Sequence, residues 1–167
     1  MMNPCKIFPL FLLFFFNSLN ATESFSNVFC GKMLDVESGS VRKHAMIGID
    51  QDSGKIRSVE FNYPKTGYDD VDTLNLSDYF CLPGLIDMHT HISEDHYRQL
   101  VEYLTMTQQE QIAIGRENVE KTLLSGFTSV RDLGVYIAWT DKLLRDEINA
   151  GLTNGPRMQI SGFYLTI

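Results

Sequence analysis

Two histidines separated by a single residue, His89 and His91, are the side chains in this sequence best suited to chemistry. Neutral imidazole is the commonest transition-metal ligand, and residues two apart in a strand project from the same face. Two rings set about 7 Å apart along the backbone can converge on one ion. Asp87 continues the same alternation and is a candidate for a supporting group beside the ligands or, equally, a structural carboxylate bonded to backbone. The pair alone is a weak signal. Histidines at this spacing are often ordinary surface or core residues, and two ligands do not close a metal site.

The elements that must position the pair follow from the hydrophobic pattern. Residues 85–92 form an apolar run that ends in polar groups, as expected of a buried strand. A helix is predicted over 108–124, with Ile112, Val119 and Leu123 at helical spacing and Gly126 as its terminator. A second strand follows at 127–133. A second helix, over 139–150, carries Trp139, Leu143, Leu144 and Ile148 on one face, and a third strand lies at 157–161. Strand, helix, strand, helix, strand implies parallel strands joined by right-handed crossovers. An open nucleotide-binding sheet would want a glycine-rich loop after its first strand, and His91-Ile92-Ser93-Glu94 offers none.

Ahead of this repeat the pattern is different. Short strands are expected at 28–34, 45–49 and 56–61, with Asp52-Ser53-Gly54-Lys55 as a hairpin turn. A polar loop spans 63–72, and Leu74 and Leu76 mark another short strand. The expected class is α/β: a small β-sandwich-like region over 22–81, then over 82–167 the first three β/α repeats of an incomplete (β/α)8 barrel.

The full string around the pair is Leu82-Pro83-Gly84-Leu85-Ile86-Asp87-Met88-His89-Thr90-His91. It resembles the amidohydrolase superfamily, whose members enter the barrel through an LPGLID segment ending in HxH. The segment 124–134, which contains Gly126-Phe127-Thr128-Ser129-Val130-Arg131-Asp132-Leu133-Gly134, resembles the GFTTVRDLG strand of the same superfamily. Gly155-Pro156-Arg157 through Gly162 resembles the GPR…SG strand that comes next. Together they are similar to the branch holding imidazolonepropionase-like enzymes and metal-dependent Xaa-Pro dipeptidases.

The resemblance implies hydrolysis of a C–N bond in a small amide or dipeptide-like substrate by metal-activated water. It implies one or two divalent ions, usually zinc, with His89 and His91 as the first two ligands. A lysine, two further histidines and the aspartate that serves as general base are expected on later strands, beyond residue 167. A whole barrel takes about 250 residues, so the 167-residue chain is expected to be inactive by itself and prone to aggregate. A homo-oligomer is compatible with the longer enzyme. The alternative is a truncated, non-catalytic secreted protein with incidental metal binding.

Other residues carry smaller expectations. Asp132, at the end of its strand, is a candidate for shaping a substrate pocket or supporting the ligands. Arg131 faces the other way and is expected to pair with a helix. His96, amid Glu94 and Asp95, reads as a solvated loop residue, and His44 as a surface residue. Asn75-Leu76-Ser77 is a glycosylation sequon that matters only on a eukaryotic secretory route.

Composition narrows the rest. The formal charge is -7, with no basic stripe, which argues against nucleic-acid binding. Residues 1–21 place Lys6 before an apolar run over 7–16 and end in Ala21, the layout of a cleavable secretory signal. The run is short for a spanning helix, so no stable membrane anchor is expected, and the product would be secreted or periplasmic. Cys30 and Cys81 would remain after cleavage, either as a disulfide in an oxidising space or as two buried thiols.

Overall fold

The computed structural model describes residues 25–64, 72–95, 97–137 and 139–163. The signal-like segment and His96 lie outside the described residues. By its internal contacts the chain divides into two compact units, one of residues up to Lys32 with Arg42–Tyr79, the other of Met33–Val41 with Phe80–Ile167.

Four strands, β1 (Asn27–Asp35), β2 (Ser40–Asp50), β3 (Lys55–Glu60) and β4 (Thr73–Cys81), form one sheet in the order β3-β2-β1-β4. β2 and β3 are antiparallel across the predicted turn, where Ser53 N–H and Oγ both donate to Asp50 Oδ1 at 2.8 and 2.7 Å. Cys30 and Cys81, on the neighbouring strands β1 and β4, are disulfide-bonded. His44 is half-buried, at a left-handed φ of 51°, with its ring 6.2 Å from that of Phe29. It is therefore less of a surface residue than its sequence neighbourhood suggests.

The second part is the expected parallel arrangement. Strands β5 (Leu85–Thr90), β6 (Phe127–Asp132) and β7 (Arg157–Ile160) lie in the order β5-β6-β7, all parallel. The crossovers are carried by α2 (Gln108–Leu124) and α3 (Thr140–Asn149). Among the described residues no helix is long and apolar enough to cross a membrane.

Local chemistry explains the boundaries. Thr107 caps α2, its hydroxyl accepting from Glu110 N–H while the Glu110 carboxylate accepts from Thr107 N–H at 2.7 Å. This reciprocal pair satisfies two otherwise orphaned donors. Gly126, at φ 94°, closes the helix as predicted and hands the chain to β6. Gly84 is required for a different reason: a Cβ there would come within 2.1 Å of Thr128 Oγ1, so only glycine lets the entry to β5 approach β6.

The core of this part is formed by Ile92, Ile112, Val119, Val130, Leu144 and Met158, with Ile148 and Ile160 packed against it. The helices depart from expectation in several respects, among them Leu143, expected on one face with Leu144 but 38% exposed. A short helix, α1 (Leu100–Thr105), precedes α2; its six residues are too few to register as a periodic pattern. Trp139 does not open the buried face of α3. It is the N-cap, at φ 62°, and is 52% exposed, its ring edge-on to Phe163 at 5.9 Å.

Gly115 is where α2 and α3 meet most closely, since an added Cβ would lie 2.2 Å from Leu144 Cδ1. Both residues are buried, so Leu144 has little room to yield. Gly115→Ala is expected to destabilise the chain by about 1–3 kcal/mol through overpacking, outweighing the better helix propensity of alanine. Urea denaturation measures this, and an unchanged midpoint would show that Leu144 swings aside.

Candidate metal centre

β5 delivers the histidine pair to the carboxyl end of the parallel sheet, the end at which such folds gather functional groups. The delivery is less regular than simple alternation predicts. The β5–β6 register shifts between Asp87 and Thr90, and the strand ends at Thr90 rather than at residue 92. His91 therefore stands one residue beyond the strand, in a turn closed by Glu94 N–H donating to His91 O at 3.1 Å. An irregularity of this kind re-aims side chains.

The two imidazoles nevertheless come together. Their ring centres are 5.3 Å apart and the planes meet at 73°. Two imidazoles on one tetrahedral zinc, with bonds of about 2 Å, would have centres roughly 5 Å apart. The spacing and the donor type both fit a shared ion. Among the described residues no group of three or more His, Cys, Asp or Glu side chains is placed to hold a metal.

The pair opens on a pocket of about 890 Å³, lined by Asp87, His89 and His91 together with Glu117, Asn118 and Lys121 of α2. Ion pairs border it: Lys121 Nζ lies 2.5 Å from Glu117 Oε1, and Arg98 Nε 2.7 Å from Asp95 Oδ2. Glu94 Oε1 is 3.8 Å from His91 Nδ1. Asp87 also lines the pocket, and its Oδ1 accepts from the His89 N–H at 3.0 Å.

Asp132 is placed differently from a pocket-shaping residue. It is fully buried, and its Oδ1 accepts from Ile92 N–H at 2.7 Å and from Thr90 Oγ1 at 3.2 Å, the residues on either side of His91. Its Oδ2 has no hydrogen-bond partner among the described residues. Burial pushes the Asp132 carboxyl up to about 6, against the pull of the Ile92 and Thr90 bonds and with a further push from Asp141. Arg131 donates from Nε to Met88 O at 2.8 Å, so it braces the neighbouring strand rather than a helix.

Asn118 is the residue that sequence reasoning missed. It sits on α2, and its Nδ2 donates to both Ile92 O and Glu94 O, at 2.9 and 2.7 Å. Asparagine is a poor occupant of a helix interior because its amide competes for backbone groups. That misfit was the available signal.

Residues 80–167, rather more than half of the chain, match the sequence profile described as the Amidohydrolase family. None of the curated proteins matches. Among solved structures, a Xaa-Pro dipeptidase with bound methionine in its active site is similar at 28% identity and a TM-score of 0.71. The match covers 83% of this chain and 33% of that one. A prolidase complexed with N-methylphosphonate-L-proline is 26% identical over 81% of this chain and 31% of its own, at 0.67. Molinate hydrolase, 20% identical over 86% of this chain and 31% of its own, shares the fold at the same TM-score. The chain thus spans about a third of the length of these relatives.

The raised carboxyl of Asp132 has a consequence for stability. A carboxyl whose pKa is higher in the folded than in the unfolded chain holds its proton more tightly when folded. Its contribution is full below about 3.8 and is lost as pH rises through about 6. In metal-free protein, stability should fall between pH 4 and pH 7 by up to about 3 kcal/mol from this group. Asp132→Asn, which keeps an oxygen for Ile92, should remove that slope. Urea titrations of both forms at several pH values measure it; parallel curves would refute the assignment.

Proposed function

Because the chain belongs to the amidohydrolase family, we propose that it supplies the first metal ligands of a hydrolase acting on C–N bonds, with His89 and His91 holding a divalent ion. The observation that carries this reading is the 5.3 Å separation of the two imidazoles, both of which line the pocket. Imidazole donors suit zinc among the divalent metals, and zinc is the first candidate. Such an ion, when bound, lowers the pKa of water and polarises a carbonyl.

The protein's own residues have separate tasks. His89 and His91 hold the ion as neutral imidazoles, which requires both to be deprotonated on the metal-facing nitrogen. Asp87, by accepting the His89 N–H, fixes the backbone between the aspartate and the first ligand. Glu94 stands on the Nδ1 side of His91 and favours a tautomer with its proton there. The substrate class we propose is a dipeptide-like or cyclic amide, supported by the similarity to a Xaa-Pro dipeptidase and a prolidase.

We also propose export to an oxidising compartment. Lys6 with the apolar run after it supports that reading, as does the disulfide between Cys30 and Cys81.

The test is zinc titration of the 167-residue chain by calorimetry, beside His89→Ala and His91→Ala. Catalytic zinc takes three protein ligands, and the described residues bring two. The wild-type chain should therefore bind zinc reversibly, lose it on dialysis, and hydrolyse no dipeptide unaided. Either alanine should abolish the binding. Equal zinc uptake by all three proteins would refute the assignment of the ligands.

A further inference from the structure

The turn that carries His91 is held through its backbone by two side chains from other elements, Asp132 and Asn118. Ile92, the next residue, has its side chain in the core, 5% exposed. Its N–H is taken by Asp132 Oδ1 and its carbonyl by Asn118 Nδ2. The same Nδ2 reaches Glu94 O, two residues further on, at 2.7 Å. An amide nitrogen has two hydrogens, and both are used to tie this one turn to α2. On the other side of His91, Thr90 is bonded to Asp132 as well.

We propose that Asn118 is a positioning residue for His91: by binding Ile92 O and Glu94 O at once, it fixes the backbone from which the second ligand projects. The proposal rests on the metal-site reading above. Its physical basis is preorganisation. A ligand on a free turn must be ordered when the ion binds, whereas one on a pinned turn has only its side-chain torsions left to fix. Asp132 completes the clamp from below, so His91 is held between two elements distant in sequence. A regular strand would have supplied this ordering through its ladder. Here the strand has ended at Thr90, and side chains take over the task.

The experiment is a cobalt titration of the full 167-residue chain, followed by the visible absorption of bound Co²⁺. Wild type is compared with Asn118→Asp, Asn118→Leu, Asn118→Gln and the double variant His89→Ala/His91→Ala. Aspartate keeps the shape but has no donors, and leucine removes donors without adding charge. Glutamine keeps the amide. Loss of a group that orients a metal ligand typically costs 10–100-fold in affinity. The aspartate and leucine variants should weaken cobalt binding by that factor and alter its absorption bands, while glutamine should recover most of the affinity. Amide hydrogen exchange gives a second readout. Residues 92–94 should exchange faster in both donorless variants, with the α2 amides unchanged, which a general loss of folding would not produce.

Cobalt binding within twofold of wild type in both donorless variants would overturn the role of Asn118 alone. Cobalt uptake by wild type no better than by the double histidine variant would overturn the metal reading, and the proposal with it. If one donorless variant does not fold, the other and the exchange pattern decide.

Discussion

The end of β5 depends on one buried hydrogen bond, from the Ile92 N–H to the carboxylate of Asp132. A parallel strand that stops while still surrounded by protein leaves backbone groups without a ladder, and each buried orphan is costly. Asp132 satisfies the first of them, and Asn118 the next. Because those two bonds are made, Ile92 can turn into the core and His91 can turn out of it. The candidate site is thus a by-product of how the strand is terminated.

The same solution recurs one repeat later. Asp141, also fully buried, uses Oδ2 to accept the N–H of Gly162, just beyond β7, at 2.8 Å, and Oδ1 to accept the N–H of Lys142. At each of these strand ends a carboxylate from elsewhere in the chain receives the amide of the second residue beyond the strand. The arrangement carries a cost, visible in the carboxyl of Asp132, which is raised to about 6. Burial is the main cause, and the nearby Asp141 adds to the push on Asp132.

Much of the fold was legible in the residues. The β/α repeat stood out because Ile112, Val119 and Leu144 recur at helical spacing and all three are buried. Gly126 marks a helix end by chemistry that depends on neighbours only a few positions away. The histidine pair was legible for the same reason, as a motif confined to ten residues. What escaped notice depends on long-range partners. Asn118 gains its role from carbonyls 24 and 26 residues earlier, and Asp132 from an amide 40 residues earlier. No local pattern encodes those distances. The bulge at the end of β5 escaped for a related reason, since register is a property of two strands rather than one. Trp139 was placed on a helix face by its spacing to Leu143, whereas its backbone serves as the N-cap of that helix.

The clamp around Ile92 also separates two kinds of change. Beyond Glu94 the chain runs through the short α1 to Thr107, where α2 begins afresh with its own capping residue. Both ends of that stretch are anchored independently, one by Asn118 and the other by the Thr107–Glu110 pair. The stretch between them is itself tied in through the buried Tyr103, whose hydroxyl bonds Asp95 and whose carbonyl accepts from Gln111. A change in that stretch which keeps Tyr103 leaves the bonds around Ile92 untouched, so the part of the pocket wall that Tyr97 and Arg98 form is separable from the turn that carries His91.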